Sequence, residues 1–384
     1  MTRKWLRWMP AAAVPAFIAA AALAGSVPAS AGDPLPAKTP EEVLALVAQH
    51  AAPSLSGTLE QTSQIGLPEL PKTGPSTGND AASALELLSG PHTARVFMDG
   101  PRNVRVQVLD RLAERNAVRN GDQVWLYSSK DNTATHLTLP ADAGQHKDFS
   151  QFKHPGAGTD RVMPTPEELA VRLLAAADPT TEIAVLPEVT VAGRAAYNLM
   201  ITPRTEGTLI GSVAIAVDGQ SGLPLSVELK ARGQAEPAFK LAFTSLSFQT
   251  PDASLFAFSP PPGATVKEIE VPAHGTESRP GHATESGAVP DAAVPGSRDP
   301  DTGHPRPTVT GTGWESVVEF PASPGSAGAG AMVSNDPLLQ QATVAVPGGR
   351  LFSTAVVNVL LTDDGRVFAG SVPAERLLTA AAAR

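Results

Sequence analysis

The sequence predicts a mainly β protein of the α+β class: one long antiparallel sheet with helices on one face. Three observations carry this. First, apolar residues alternate with polar ones at period two: Val104, Val106 and Val108 with Arg105 and Gln107, Leu223, Leu225, Val227 and Leu229 with Ser226, Glu228 and Lys230, and Phe239, Leu241 and Phe243 with Lys240 and Thr244. Each such strand buries one face. Second, turn signals separate these runs: Asn120-Gly121 before Gln123–Ser128, Lys130-Asp131-Asn132 before Thr133–Leu139, and Gly219-Gln220-Ser221-Gly222 before Leu223–Ala231. Third, two helices open alike, at Thr39-Pro40-Glu41-Glu42 and Thr165-Pro166-Glu167-Glu168. Threonine caps, proline takes the first helical position, and the second glutamate closes a capping box. Val43, Leu44, Leu46 and Val47, then Leu169, Val171, Leu173 and Leu174, give these helices apolar faces to lay on the sheet.

The N-terminus has the layout of an export signal. Arg3, Lys4 and Arg7 precede an apolar stretch from Ala11 to Ala24, and Ala29-Ser30-Ala31 is a small-x-small cleavage site. Residues 1–31 are therefore expected to be removed and the protein to act outside the cytoplasm; the uncharged stretch Trp8–Gly32 would alternatively be long enough to stay as an anchor. There is no cysteine, which excludes disulfides, thiolate metal sites, a cysteine nucleophile and a lipid anchor on cysteine. A net charge of −9 argues against nucleic acid as a partner.

Residues 272–313 contain 14 Pro or Gly in 42 and no Leu, Ile, Met, Phe, Tyr or Trp, so they read as a disordered linker. Pro68–Asn79 and Pro321–Gly330 read as further soft segments. The main domain is thus expected over 32–271. Residues 314–384 follow as an appended piece: a hairpin of Leu351–Thr362 and Arg366–Val372 around Asp363-Asp364-Gly365, then a helix from Pro373. Too small to stand alone, it is expected to add to the main sheet.

Catalytic motifs are missing from the sequence: there is no G-x-S-x-G, H-E-x-x-H, P-loop or EF-hand loop. Gly219-Gln220-Ser221-Gly222 and Asp363-Asp364-Gly365 are better read as turns. His146 and His154, and His274, His282 and His304, lack convergent further ligands, and Gly156-Ala157-Gly158 lacks the strand and helix that a phosphate loop needs. No catalytic residue, metal or cofactor is assigned. What remains is an apolar interior, which can be a filled core or a cavity for a greasy ligand.

Several segments resemble the LolA/RseB-like superfamily of exported lipid- and lipoprotein-binding proteins. They are the helix Thr39–His50, Leu55–Gln61, Arg95–Pro101, the run Asn120-Gly121-Asp122-Gln123-Val124-Trp125-Leu126-Tyr127, Val191–Leu199, and the close Phe256-Ala257-Phe258-Ser259-Pro260-Pro261-Pro262-Gly263. The resemblance implies an unclosed antiparallel β-barrel of about ten or eleven strands whose concave face, lidded by helices, holds acyl chains of a lipid or lipoprotein. It also implies a non-enzymatic role, either as a carrier or as an RseB-like regulator that binds an anti-sigma factor or another membrane protein's extracytoplasmic segment. The expected lining is Val106, Val108, Leu199, Ile201, Val213, Ile215, Leu225, Val227, Leu229, Leu241 and Phe243. LolA's cavity arginine is not matched to any one of Arg95, Arg105 or Arg115.

Overall fold

Both capping boxes form. In a computed structural model of the chain, which describes residues 34–50, 54–66, 90–110, 113–139, 163–175, 179–270, 307–322 and 337–383, α1 (Pro40–Gln49) begins where the Glu42 amide donates to Thr39 Oγ1. The Thr39 amide in turn donates to the Glu42 carboxylate at 2.7 Å. α2 (Pro166–Ala175) repeats the arrangement between Thr165 and Glu168. The export signal, His146, His154, Gly156–Gly158, Pro68–Asn79, and the linker as far as residue 306 with its three histidines lie outside the described residues.

The first twelve strands form one sheet. They are β1 (Leu55–Ser63), β2 (His92–Asp99), β3 (Asn103–Leu109), β4 (Glu114–Asn120), β5 (Gln123–Ser128), β6 (Thr133–Thr138), β7 (Thr181–Val191), β8 (Arg194–Pro203), β9 (Ile210–Asp218), β10 (Pro224–Ala231), β11 (Phe239–Ser247) and β12 (Thr265–Glu270). Their order is β12-β6-β5-β4-β3-β2-β1-β11-β10-β9-β8-β7, so the sheet is open, with β12 and β7 as its edges. It curls strongly. Four strand spacings would put β7 about 19 Å from β11 in a flat sheet, yet residues of the two come within 8 Å. Bulges at Thr58/Leu59 and Leu186/Val189 supply part of the bend. This is the unclosed half-barrel the sequence predicts, with one departure: β12 makes it twelve strands, and β12 pairs with β6 in parallel. The chain reaches that edge by crossing the sheet after β11, and such a crossing returns a strand in the same direction as β6.

α1 packs on β7 and β8, and α2 on β10. Gly222 makes the approach of α1 possible: at φ +76° it sits so near that a Cβ would stand 2.5 Å from the Leu46 carbonyl oxygen. The β7–β8 turn is tighter than its sequence suggests, because Ala192 at φ +49° and Gly193 at φ +76° both occupy the left-handed region. Ala192→Asn, the residue such a turn favours, is expected to raise stability by about 0.5 kcal/mol, read as a higher melting temperature.

The C-terminal residues do not extend this sheet. They build a second one of six strands, β13 (Thr308–Thr310), β14 (Val317–Phe320), β15 (Thr343–Val346), β16 (Gly349–Ser353), β17 (Asn358–Thr362) and β18 (Val367–Gly370), in the order β13-β14-β18-β17-β16-β15. α3 (Pro337–Ala342) precedes β15, and α4 (Ala374–Ala382) closes the chain. Its core is its own: Val317, Leu360, Phe368 and Val372 against Leu377 of α4. The stretch expected as one strand, Leu351–Thr362, is two, because Thr354 Oγ1 accepts the amides of Val356 and Val357 and turns the chain. Thr308–Thr310, inside the span that composition assigns to the linker, is an edge strand held by backbone pairing, with Val309 62% exposed.

One end of this second sheet docks on the first. Ser371 O accepts from the Leu209 amide at 2.7 Å and from Thr208 Oγ1, and the Ala355 amide donates to Ile65 O. Trp314 Nε1 donates to Thr181 Oγ1. The Glu315 carboxylate accepts the Gly207 amide at 3.0 Å and Arg376 Nη1 at 2.6 Å. A Cβ at Gly207 would meet that carboxylate at 2.6 Å, so a larger residue there would displace the Glu315 side chain. Arg232 braces the same loop by donating to the carbonyls of Thr205 and Thr208. Partial burial works against charge on Glu315, but Arg376 and the Gly207 amide more than offset it and hold its carboxyl below the ordinary range. A depressed carboxyl contributes stability above the ordinary carboxylate range and loses it as pH falls through its folded value. Glu315→Gln is therefore expected to lower the hydrogen-exchange protection of the Gly207 amide, measured against its intrinsic rate at the same pH, and acid to lower that protection in the parent chain.

Candidate functional site

Strand registers show which side chains share a face, since partners across a ladder point the same way. One continuous row runs Leu199, Ile215, Val227 and Leu241, and passes on to Gln61 and His92. A second runs Ile201, Val213, Leu229 and Phe239. A third joins Phe243, Leu59, Ala94 and Val108 to Arg115. Val106 falls on the same side by alternation, while Leu225 stands at the β10 register shift between Pro224 and Ser226, where alternation does not set its side. Apart from Leu225, the residues expected to line a cavity thus share one face of the sheet. Of all eleven, ten are buried, at 9% exposure or less, and Leu229 is partly exposed.

The burial of these residues makes this the covered face of the sheet. The opposite face of the same strands carries Glu228 paired with Lys240 at 2.7 Å, both in contact with solvent, and Glu60 and Thr62 beyond them. Burial of apolar area on the covered face is the main stabilisation of the half-barrel; each fully buried Leu, Ile or Val contributes roughly 1.5–3 kcal/mol.

Four polar residues on the covered face escape a search for apolar alternation. Gln61, His92, Arg115 and Arg119 are 2%, 9%, 8% and 3% exposed. In β4 the inward positions read Arg115, Ala117, Arg119, so the strand lacks the pattern that marks its neighbours. The available signal is positional: these arginines occupy the inward phase of a strand fixed by the Asn120-Gly121 turn. Asp110 takes a hydrogen bond from His92 Nδ1 at 2.8 Å and lies 3.6 Å from Arg115 Nη1. The His92 bond, and the Arg115 charge behind it, hold the Asp110 carboxyl below the usual range against the opposing effect of burial. Burial, with Arg102 nearby, lowers the basicity of Arg119.

The other face of β3–β5 holds a cleft of about 690 Å³. Arg105, Asn116 and Tyr127 form its floor, and Ala257, Phe258 and Pro261 of the crossing segment form its wall. None of the eleven expected lining residues borders it. Arg105 spans the two sides, donating to Asn116 Oδ1 and Leu255 O. Phe258 packs on Trp125 and Tyr127, and Trp125 stacks on His136 at 4.1 Å. His136 lies between the Glu268 carboxylate and Gln123, where it ties β12 to the sheet.

The expected turns are turns. Ser221 donates its amide and its hydroxyl to Asp218, and Asp364 accepts from Thr362 and Arg366 at the β17–β18 tip. Among the described residues, no group of three or more His, Asp and Glu could hold a metal ion, and no helix is long and apolar enough to cross a membrane.

No family model matches the sequence, and no curated protein matches it. Solved structures similar to the chain include the complex of Pseudomonas aeruginosa MucA and MucB, with a TM-score of 0.40, 17% identity, and coverage of 88% of this chain and 96% of that one. An uncharacterised conserved protein from Thermus thermophilus is similar with a TM-score of 0.33 and 13% identity, over 60% of this chain and 98% of the other. A LolA superfamily protein from Nitrosomonas europaea is similar with a TM-score of 0.23 and 11% identity, over 58% of this chain and 99% of the other.

Proposed function

We propose that the chain is an exported, non-enzymatic binding protein that holds acyl chains of a lipid or lipoprotein against the covered face of its half-barrel. The observation that supports this most is the continuity of that face across β8–β11, where no ionisable group stands between Leu199 and Leu241. Such a lining suits a long, featureless hydrocarbon chain, and the curled sheet with two helices can part to admit one. No cofactor takes part, and the protein acts extracytoplasmically after loss of residues 1–31. Native mass spectrometry with organic extraction tests the reading, on protein from an exporting host without added lipid. An acyl-lipid mass, with an N-terminus at Gly32, is expected; a clean apo mass that added phospholipid does not change would overturn it.

The second reading is a regulator that captures a membrane protein's extracytoplasmic segment. It draws support from the second sheet, which has its own core and is docked by one end as a module. Removing residues 307–384 separates the two: loss of partner capture with lipid retained would favour the regulator.

A further inference from the structure

The cleft on the outer face of β3–β5 has a polar network fixed across its floor. Gln107 Nε2 and Asn116 Nδ2 both donate to Glu114 Oε1, at 2.8 and 3.0 Å. Asn116 Oδ1 accepts from Arg105 Nε at 3.1 Å, and Arg105 Nη1 donates to Leu255 O at 3.0 Å. Planar side chains of β3 and β4 are thus locked edge to edge and tied to the crossing segment. The register explains why they meet: Gln107 pairs with Asn116, and Asn116 with Tyr127, so these side chains share a face. The network leaves one acceptor, Glu114 Oε2, and one donor, Arg105 Nη2, without a hydrogen-bond partner among the described residues. Beside them stand the partly exposed rings of Tyr127 and Phe258, with centroids 5.8 Å apart. Tyr127 Oη donates to Asn132 and keeps its lone pairs for a further donor. A few polar groups held in place beside aromatic rings in a concavity have the make-up of a ligand site.

We propose that this cleft binds a neutral oligosaccharide, with ring hydroxyls on Glu114 and Arg105 and the C–H face of a sugar against Phe258 or Tyr127. The pattern of donors and acceptors carries the class. Glu114 Oε2 calls for a donor and Arg105 Nη2 for an acceptor, and a hydroxyl supplies both at one atom. A cation would meet the Arg105 guanidinium. An anion would meet the carboxylates of Glu114 and of Asp110, which also borders the cleft. The aromatic rings add apolar contact without charge, and their electron-rich faces suit C–H groups. Because the polar side chains already hold one another, binding costs little further ordering. The volume of about 690 Å³ exceeds one sugar ring and lies within the range of small-molecule sites. An acyl chain fits less well, since the floor is polar. A proline-rich peptide fits less well too, because proline lacks the amide that Glu114 Oε2 would accept.

This inference does not depend on acyl binding, which concerns the opposite face of the sheet, so lipid extracted in parallel is expected to be the same in every variant. The probes are maltotriose, cellotriose and tri-N-acetylchitotriose, titrated calorimetrically against the full chain. Trigalacturonate is the anionic control, and the deacetylated chitotriose the cationic one. At least one neutral probe is expected to bind with a Kd between about 10 μM and 1 mM, and about tenfold or more tighter than either charged control. Glu114→Gln replaces the open acceptor with a donor and is expected to weaken that probe about tenfold. Ser259 is exposed at the edge of the cleft. Ser259→Trp is therefore expected to fill the cleft and abolish binding while the melting temperature stays that of the parent. Binding of none of the neutral probes at about 10 mM would overturn the proposal. Saccharide binding that both variants leave intact would overturn it too, by placing the sugar elsewhere on the chain. Tighter binding of a charged control, lost on Ser259→Trp, would instead make the cleft an ion site.

Discussion

Asp218→Asn is expected to destabilise the half-barrel by about 2–3 kcal/mol, seen as a lower urea midpoint with unchanged m-value. Asp218 is 1% exposed at the end of β9, and its two carboxylate oxygens receive Arg194 Nε at 2.7 Å and Nη2 at 2.9 Å. It also accepts the amide and hydroxyl of Ser221, and so closes the turn that brings Gly222 under α1. An amide keeps the volume but cannot accept all four donors, and it leaves the Arg194 guanidinium without its counter-charge. The lower end of the range for breaking buried pairs applies, because Arg194 is 24% exposed. Burial works against the charged form of Asp218, yet Arg194 and Ser221 outweigh it and hold the carboxyl below the usual range. The contribution is thus present above the ordinary carboxylate range and is lost as pH falls through the folded value. The difference between parent and Asp218→Asn should shrink in acid, and a constant difference down to the acid transition would contradict the assignment.

Val227→Phe distinguishes a space that opens for a ligand from a filled core. Val227 is fully buried between Ile215 and Leu241 in an apolar row across β8–β11. In a filled core the larger ring would overpack by about 1–3 kcal/mol and leave any bound lipid unaffected. Where the space accommodates an acyl chain, the ring occupies the chain's volume. Stability is then expected to stay within about 1 kcal/mol of the parent, while the extracted acyl mass falls. Thermal unfolding and mass spectrometry of one preparation report both quantities.

The parts of the fold legible in the sequence are those whose causes are local. Each capping box is closed by two hydrogen bonds between residues three apart, and the β4–β5 and β9–β10 turns by glycines and short polar side chains within a few positions. Alternation places Val106, Leu199, Val227 and Leu241 on a common face because the strand period fixes the side of every second residue. The same rule misreads Leu351–Thr362, where apolar residues continue across a turn that Thr354 makes with its own hydroxyl.

By itself, then, the sequence determined the class of the fold, its two capped helices, the phase of the long strands and the absence of a cysteine site or familiar catalytic motif. Tertiary structure alone decided that β12 returns in parallel to β6, that the last strands build a second sheet, and that Gln61, His92, Arg115 and Arg119 stand on the apolar face. The physical reason is the same in each case: these features come from pairing between segments far apart in the chain, where backbone hydrogen bonds are alike for every residue type. The choice of partner strand is then set by the burial summed over a whole face and is written in no short stretch of sequence.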